Sequence, residues 1–429
     1  MREMKDSGVA WIGEIPKDWD LSRLKFSSTY NDESIKEDTN PEKEIEYVEI
    51  GSVTLENGVE KAEVMRFKDA PSRARRIARK GDIIISTVRT YLKAIALIEK
   101  ESYTVSTGFC VIRPQKCMDS GYLKYFCSSE LFTSEVSACS VGISYPAINA
   151  STLMDFHIIN PPLAVQHKIV RVLDEKCNHV DSLIANVQAQ IEKLKAYKQS
   201  LITEVVTKGL DPNAPMKDSE LPWFGLIPRH WKLAKIKMYA TTCSGGTPPS
   251  GDMSYYNGKI NWVCSYDLCE KEIEETEKTL SDKGAEHIAG TLQLPNSILV
   301  AMYGGAGTIG NSGLLKCYAR TNQAICSIHF DEAVVEPKFA FYQTMFIRRY
   351  WMFFAVGTRK DPNISQDIVR NMKYVIPPIQ EQTAIATYLD AKCSQIDQLI
   401  TLKESKIEKL QQYKRSLIYE YVTGKKEVV

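Results

Sequence analysis

The sequence predicts an α+β fold: two α/β bodies alternating with two long helices that pair as a coiled coil, arranged as a tandem repeat. Three observations predict it. A Trp-Pro motif occurs twice, as MKDSGVAWIGEIPKDW from Met4 and MKDSELPWFGLIPRHW from Met216. A longer segment also occurs twice, PPLAVQHKIVRVLDEKCNHVDSLIANVQAQIEKLKAYKQSLITEVVT from Pro161 and PPIQEQTAIATYLDAKCSQIDQLITLKESKIEKLQQYKRSLIYEYVT from Pro377. Inside it, apolar residues recur at spacings alternating between about four and three, the period of a coiled-coil seam. The boundaries follow: a first body at 1–160, a first helix at 161–208, a linker at 209–216, a second body at 217–376 and a second helix at 377–424.

In the first body the lead-in motif matches Trp11, Pro16 and Trp19 with Trp223, Pro228 and Trp231 of the second. Fixed tryptophans and prolines suit a packed turn that seats the body behind it. GDIIISTV (81–88) and TGFCVIRP (107–114) are apolar runs bounded by turn residues and read as buried strands. Charge is sorted along this body. Residues 31–63 are acid-rich, whereas 66–93 carry Arg66, Lys68, Arg73, Arg75, Arg76, Arg79, Lys80, Arg89 and Lys93. Such a block can neutralise phosphates and release counterions, and arginine can grip guanine with two hydrogen bonds. A solvated basic face is the plain alternative. From this block Arg73, Arg75, Arg76, Arg79 and Arg89, with Tyr91, are candidate DNA contacts. The Val-Gly loop SVGISYPAINAS (140–151), shortly before the helix, adds Ser144 and Tyr145.

The first helix has its seam at Leu173, Cys177, Val180, Ile184, Val187, Ile191, Leu194, Leu201 and Val205, interrupted at Lys198. From first to last seam residue it spans about 50 Å, more than a body of this size needs to cover it. Pro161 and Pro162 suit a sharp start, and Gly209 a stop. TKGLDPNAPMKDSELPW, from Thr207, is rich in turn formers and joins the copies.

The second body shares little sequence with the first. SILVAMY (297–303) and NQAICSIHF (322–330) read as strands, and AVGTRKDPNISQD (355–367) is its own Val-Gly loop. Asparagine and glutamine suit adenine edges. The candidate DNA contacts here are Thr247, Tyr303, Arg320, Asn322, Gln323, Thr358, Arg359 and Lys360. The second helix repeats the seam at Leu389, Cys393, Ile396, Ile400, Ile407, Leu410 and Leu417, with Lys403 and Lys414 interrupting and Gly424 as its stop. Lys198 and Lys414 hold the same slot, where a polar residue can fix register.

Composition limits the function. With 44% hydrophobic and 25% charged residues and a net charge of +1, the chain reads as an ordinary soluble protein. No apolar run is long enough to cross a bilayer, and MREMKDSG lacks a signal-peptide core. Eleven unpatterned cysteines favour a reducing, cytoplasmic setting, and six dispersed histidines give no metal site. Three motifs are set aside. GAGTIG (305–310) is followed by a turn and strand, not the helix a dinucleotide needs. INPPL (159–163) resembles the catalytic loop of amino-methyltransferases, but the repeat has VIPPI, with Ile376 in place of Asn160. The acidic run Glu270 to Glu277 lacks a nuclease spacing. No catalytic residue or cofactor cradle is found, so catalysis is expected to belong to a partner.

These residues together resemble the specificity (S) subunit of type I restriction-modification systems. The resemblance covers essentially the whole chain. It rests on WIGEIPKDW and WFGLIPRHW, on PPLAVQHKI and PPIQEQTAI, on IEKLKAYKQSLI and IEKLQQYKRSLI, and on TKGLDPNAPMKDS, in that order and twice over. SGGTPPSGD (244–252) followed by KINWVCSYDL looks like the start of a common type of target recognition domain. The resemblance implies that each body is a target recognition domain reading one half of a bipartite double-stranded DNA site. It implies that the helices pack antiparallel through Leu173, Val180, Ile184, Ile191, Leu194, Leu201, Leu389, Ile396, Ile400, Ile407, Leu410 and Leu417, and space the halves. It further implies two adenine-N6 methyltransferase (M) subunits and additional motor-nuclease (R) subunits as partners. S-adenosylmethionine is then expected on M and ATP on R, with no cofactor on this chain. Two readings compete: a stand-alone methyltransferase, and a coiled-coil adaptor without DNA.

Overall fold

The computed structural model describes residues 3–304, 307–357 and 362–428. The chain forms two compact units that do not follow its segments in order. One is Met1–Gln188 with Glu404–Val429, and the other is Ala189–Lys403.

In the first unit Met4–Asp6 and Glu14–Pro16 form a small hairpin, and Trp19 behind it is buried. Strand Asp20–Arg23 then pairs with His157–Asn160, so the body begins and ends side by side. Between them lie two four-stranded sheets. One runs Ile95–Leu97, Ile83–Ser86, Phe109–Pro114, Ser28–Tyr30; the other runs Glu63–Arg66, Glu44–Val48, Ser102–Ser106, Ala74–Arg79. Ile83–Ser86 is buried along its whole length, as its unbroken apolar run predicts. Helices Ser120–Ser128 and Glu130–Ala138 start on Asp119 and Ser129, whose side chains accept from the first-turn amides. The core joins Trp19, Tyr122, Phe126 and Phe132 to Leu173 and Cys177 of the first long helix and to Leu417, Tyr421 and Val422 of the second.

The second unit repeats this frame with different sequence. Met216–Asp218 pairs with Leu226–Pro228, and Lys232–Lys235 pairs with Lys373–Ile376. A five-stranded sheet runs Ala240–Ser244, Ile325–Phe330, Ile298–Ala301, Ser312–Leu315, Lys271–Ile273. Beside it stands a three-stranded sheet of Thr279–Leu280, Tyr256–Val263 and Ala319–Thr321. Trp231, Phe339, Phe346 and Trp351 form the core with Leu201, Val205 and Val206 of the first long helix and Ile385 and Leu389 of the second.

The long helices are Leu163–Lys208, of 46 residues, and Ile379–Val422, of 44. A glutamine holds the start of each. Gln166 Nε2 donates to the Pro161 carbonyl at 2.9 Å, while its Oε1 accepts the Asp119 amide at 2.8 Å. Gln382 repeats this with the Pro377 carbonyl at 2.8 Å and the Glu336 amide at 2.9 Å. Asn160 belongs to the same network, accepting from Gln166 Nε2 at 3.1 Å.

The helices pair antiparallel, and the interrupting lysines show it within each unit. Lys414 meets Asp181 at 2.7 Å in the first, and Lys198 meets Asp397 at 2.7 Å in the second. In the second unit Lys403 also donates to Gln190 Oε1 at 2.5 Å, so moving up the first helix from Gln190 to Lys198 moves down the second from Lys403 to Asp397. Of the seam residues, Leu173, Val180, Ile191, Leu201, Leu389, Ile396 and Leu417 are buried. Ile184, Leu194, Ile400, Ile407 and Leu410 are half-buried. Gly209 and Gly424 stop the helices in the left-handed region, at φ of 76° and 68°.

Both stops are also packed. A Cβ on Gly209 would lie 3.1 Å from Trp231 and from Glu381, and Trp231 Nε1 donates to Glu381 Oε1 at 3.0 Å. A Cβ on Gly424 would lie 2.3 Å from Pro16 and 2.8 Å from Trp19. The second lead-in turn thus sits on the end of the first helix, and the first sits on the end of the second.

Candidate DNA interface

Each body carries the same device at the end of a buried central strand. In the first, Ile83–Ser86 runs on to Val88, which bridges to Ala147 of the Val-Gly loop. The loop closes on itself through two 2.9 Å bonds between Val141 and Ala147, and the Ile148 amide donates to the Thr87 carbonyl at 2.9 Å. After Val88 the chain turns sharply. Arg89 has φ 54°, Thr90–Leu92 make a short 3-10 turn, and Lys93 has φ 48°. Residues other than glycine hold this conformation only where the surroundings impose it. Here Thr90 Oγ1 donates to Ser140 Oγ at 2.7 Å, fastening the turn to the loop.

The turn and loop wall a cleft of about 710 Å³, lined by Tyr47, Glu49, Arg73, Arg89, Ser106 and Tyr145 among others. The Arg89 guanidinium lies over the Tyr145 ring, 4.9 Å from its centre. Arg73 and Arg89 are exposed, and neither has a carboxylate partner among the described residues. Tyr91 and Ser144 are exposed on the same turn and loop.

The other arginines of the block point elsewhere. Arg79 grips Glu33 with both Nε and Nη2, at 2.6 to 3.0 Å, and Arg113 joins Glu33 to the buried Asp82. The Arg79 guanidinium holds the Glu33 carboxyl down to about 2, with Arg113 adding to the effect against the cost of burial. Arg75 stacks on Phe67 at 5.0 Å. Arg76 is half-buried beside Cys110, and its Nη1 has no hydrogen-bond partner among the described residues. Burial lowers the Arg76 pKa and pushes the Cys110 thiol up to about 12.

In the second body Ile298–Ala301 runs on to Tyr303, which bridges to Asn363, and the Ile364 amide donates to the Met302 carbonyl at 2.9 Å. Asn363 belongs to the hairpin of Val356–Gly357 and Pro362–Asn363. The candidates Thr358, Arg359 and Lys360 lie outside the described residues. Near Tyr303, Thr247 Oγ1 donates to Gln323 Oε1. Tyr303 is half-buried, and burial raises its phenol pKa against a hydrogen bond to Gln323. The glycines of SGGTPP bring Thr247 there: a Cβ on Gly245 would stand 1.8 Å from the Thr321 carbonyl oxygen. Arg320 is engaged internally, donating to the Gly290 and Ala285 carbonyls at 2.5 Å each. Asn322 Oδ1 accepts from the Ala324 amide at 3.1 Å, which shapes the turn.

The structure therefore gathers Arg73, Arg89, Tyr91, Ser144 and Tyr145 in the first body, and Thr247, Tyr303 and Gln323 in the second. It does not bring Arg79 or Arg320 to those faces with a free guanidinium. Tyr47 and Glu49 also line the first cleft; they lie in the acid-rich segment 31–63, outside the basic block that supplied the candidates. GAGTIG holds no cradle in its described part, since Gly310 packs on Trp351 and Ser312–Leu315 follows as a strand. Among the described residues no cluster of His, Cys, Asp or Glu could hold a metal, and no helix is long and apolar enough to cross a membrane.

Two divergent bodies on one repeated helical frame, each ending a buried strand in a turn and hairpin, define a two-headed recognition protein. The comparisons with known proteins place it. The family described as "Type I restriction modification DNA specificity domain" matches residues 16–193 and again 228–412, and the chain belongs to that family. Among its relatives, the putative type I restriction enzyme MjaX specificity subunit of Methanocaldococcus jannaschii is 23% identical, over 96% of this chain and 95% of that one. The MjaVIII specificity subunit of the same organism is 26% identical over 76% and 75%. The EcoKI specificity subunit of Escherichia coli is 23% identical over 65% and 60%. A solved chain described under complex assembly and conformational transition of the type I R-M system has the same fold. It matches with a TM-score of 0.74 at 21% identity, over 95% of this chain and 98% of that one. The chain is a DNA specificity subunit with two recognition domains.

Proposed function

We propose that this subunit has no catalytic centre of its own and directs adenine-N6 methyltransferase subunits, two per chain, to a bipartite, asymmetric DNA site. Motor-nuclease subunits join the same complex for restriction. S-adenosylmethionine is bound by the methyltransferase subunits and ATP by the motor, and the complex works in the cytoplasm. The first body reads one half-site with the turn and loop that carry Arg73, Arg89, Tyr91, Ser144 and Tyr145. The second reads the other with the face that carries Thr247, Tyr303 and Gln323. Arg79 and Arg320 hold the bodies together and leave base reading to others. The helices set the gap between the halves.

The observation that carries this reading is the double match to the specificity family on bodies whose sequences differ. A palindromic site would be served by two like readers, whereas two unlike readers on a repeated frame fit an asymmetric one. The test exchanges residues 232–376 for the body of a relative and sequences the methylome of a host expressing the chain with its methyltransferase subunit. One half of the methylated site is expected to change while the other half and the gap stay. A simultaneous change of both halves would overturn the two-reader assignment. Methylation by the purified chain alone would overturn the absence of catalysis.

A further inference from the structure

The hairpin that closes the first cleft carries apolar side chains at its tip. Ile143 is fully exposed, at 103%, and Val141 is 81% exposed. The backbone beneath them is fixed. Val141 and Ala147 exchange two 2.9 Å bonds, and the Thr90 amide donates to the Pro146 carbonyl at 3.3 Å. Gly142 has φ +118°, and a Cβ there would stand 3.0 Å from the Tyr145 carbonyl oxygen. Only glycine fits that bend. Ile143 is therefore held out into solvent by a built turn. With Tyr91 and Leu92 of the turn fastened to it and Tyr145 of the same loop, all exposed, Val141 and Ile143 make up an apolar patch, and such a patch marks a contact surface.

The neighbours select the occupant. Arg73 and Arg89 line the adjoining cleft against one acid, Glu49, and neither has a carboxylate partner among the described residues, so the surface suits a polyanion. A duplex displays one apolar group on its base edges, the C5 methyl of thymine, and it lies in the major groove. That groove, about 12 Å wide, admits a two-stranded turn. The β-branched side chain of Ile143 is stiff and can hold a fixed place beside a methyl.

We propose that Ile143 is a specificity residue that recognises one thymine of the first half-site through its methyl group, while Arg73 and Arg89 hold the duplex against it. This rests on the reading of the first body as a DNA-recognition domain. The experiment uses the complex of this chain with its methyltransferase subunits, and duplexes carrying the site found by methylome sequencing. Each thymine of the first half is replaced singly by deoxyuridine, which lacks only the methyl. Wild-type binding should weaken about three- to tenfold at one such position, on the order expected for losing one buried methyl contact. Ile143→Ala should show a similar loss on unmodified DNA and be indifferent to uracil there.

A first half-site with no thymine on either strand overturns the proposal. So does wild-type indifference to uracil at every position, or an Ile143→Ala complex that still discriminates. If Ile143 instead wedges between base pairs, 2-aminopurine beside the contact will brighten on binding with no uracil effect, and the methyl reading fails. Failure of the underlying reading looks different: exchanging the first body would leave the first half-site unchanged.

Discussion

Glu33 shows how single residues in this protein are committed by partners far along the chain. Its carboxylate takes both Arg79 and Arg113 and is held at about 2 instead of its ordinary 4.5. A carboxyl depressed on folding stabilises the native state above its unfolded pKa, and that contribution is lost as the pH falls through the folded one. The first unit is therefore expected to lose stability between about pH 4.5 and pH 2 through this group. In Glu33→Gln, urea denaturation followed across that window should show a shallower decline than in the wild type, with the largest difference near neutral pH. Equal slopes would mean that the carboxylate is not the stabilising partner. Arg79 looks identical to Arg73 in the sequence, yet one is bound to Glu33 and the other faces the cleft. Nothing within a few residues of either distinguishes them.

At the scale of elements, the long helices are ruled by period and by two lysines. The apolar seam fixes which face of each helix is buried but tolerates sliding by a heptad. Lys198 with Asp397, and Lys414 with Asp181, resist that slide, because a shift removes both ion pairs while leaving the lysines half-buried. Such pairs add little net stability when partly exposed, so their contribution lies in register. Insertion of seven helical residues after Gln188 and seven after Lys403 keeps the seam in phase and both pairs in place. The gap in the methylated site should lengthen by about three base pairs, from about 1.5 Å per helical residue against about 3.4 Å per base pair. Methylome sequencing reads this directly, and an unchanged gap with full activity would end the spacer role. Insertion of two residues in each should instead abolish methylation, because it turns the seam by about 200°, to the far side of its helix.

For the whole molecule, the first unit is closed by residues from opposite ends of the chain. Tyr122 Oη donates to the Ile159 carbonyl at 2.9 Å and to the Val422 carbonyl at 3.3 Å, and Leu417, Ile418, Tyr421 and Val422 complete its core. Removing residues 404–429 takes these side chains away and exposes the apolar face of Met1–Gln188, while Ala189–Lys403 keeps its own core. Limited proteolysis of that truncation should cut within the first body and spare the second. Equal resistance of both would contradict the shared closure.

The sequence by itself determined the repeat, the two long helices with their stops at Gly209 and Gly424, the buried central strands, and the family. These follow from short-range signals: period, capping, apolar runs and order of motifs. Much of the interface was not legible. Tertiary structure decided that Arg79 binds Glu33 and that Arg320 binds the carbonyls of Ala285 and Gly290. It decided that Tyr47, Glu49 and Ile143 stand at the first cleft or its hairpin, and that Gln166 and Gln382 lock the helix starts. The physical reason is range. Backbone propensity and hydrophobic period act over a few residues, whereas the partner of a charge is set by which distant strands the chain brings alongside.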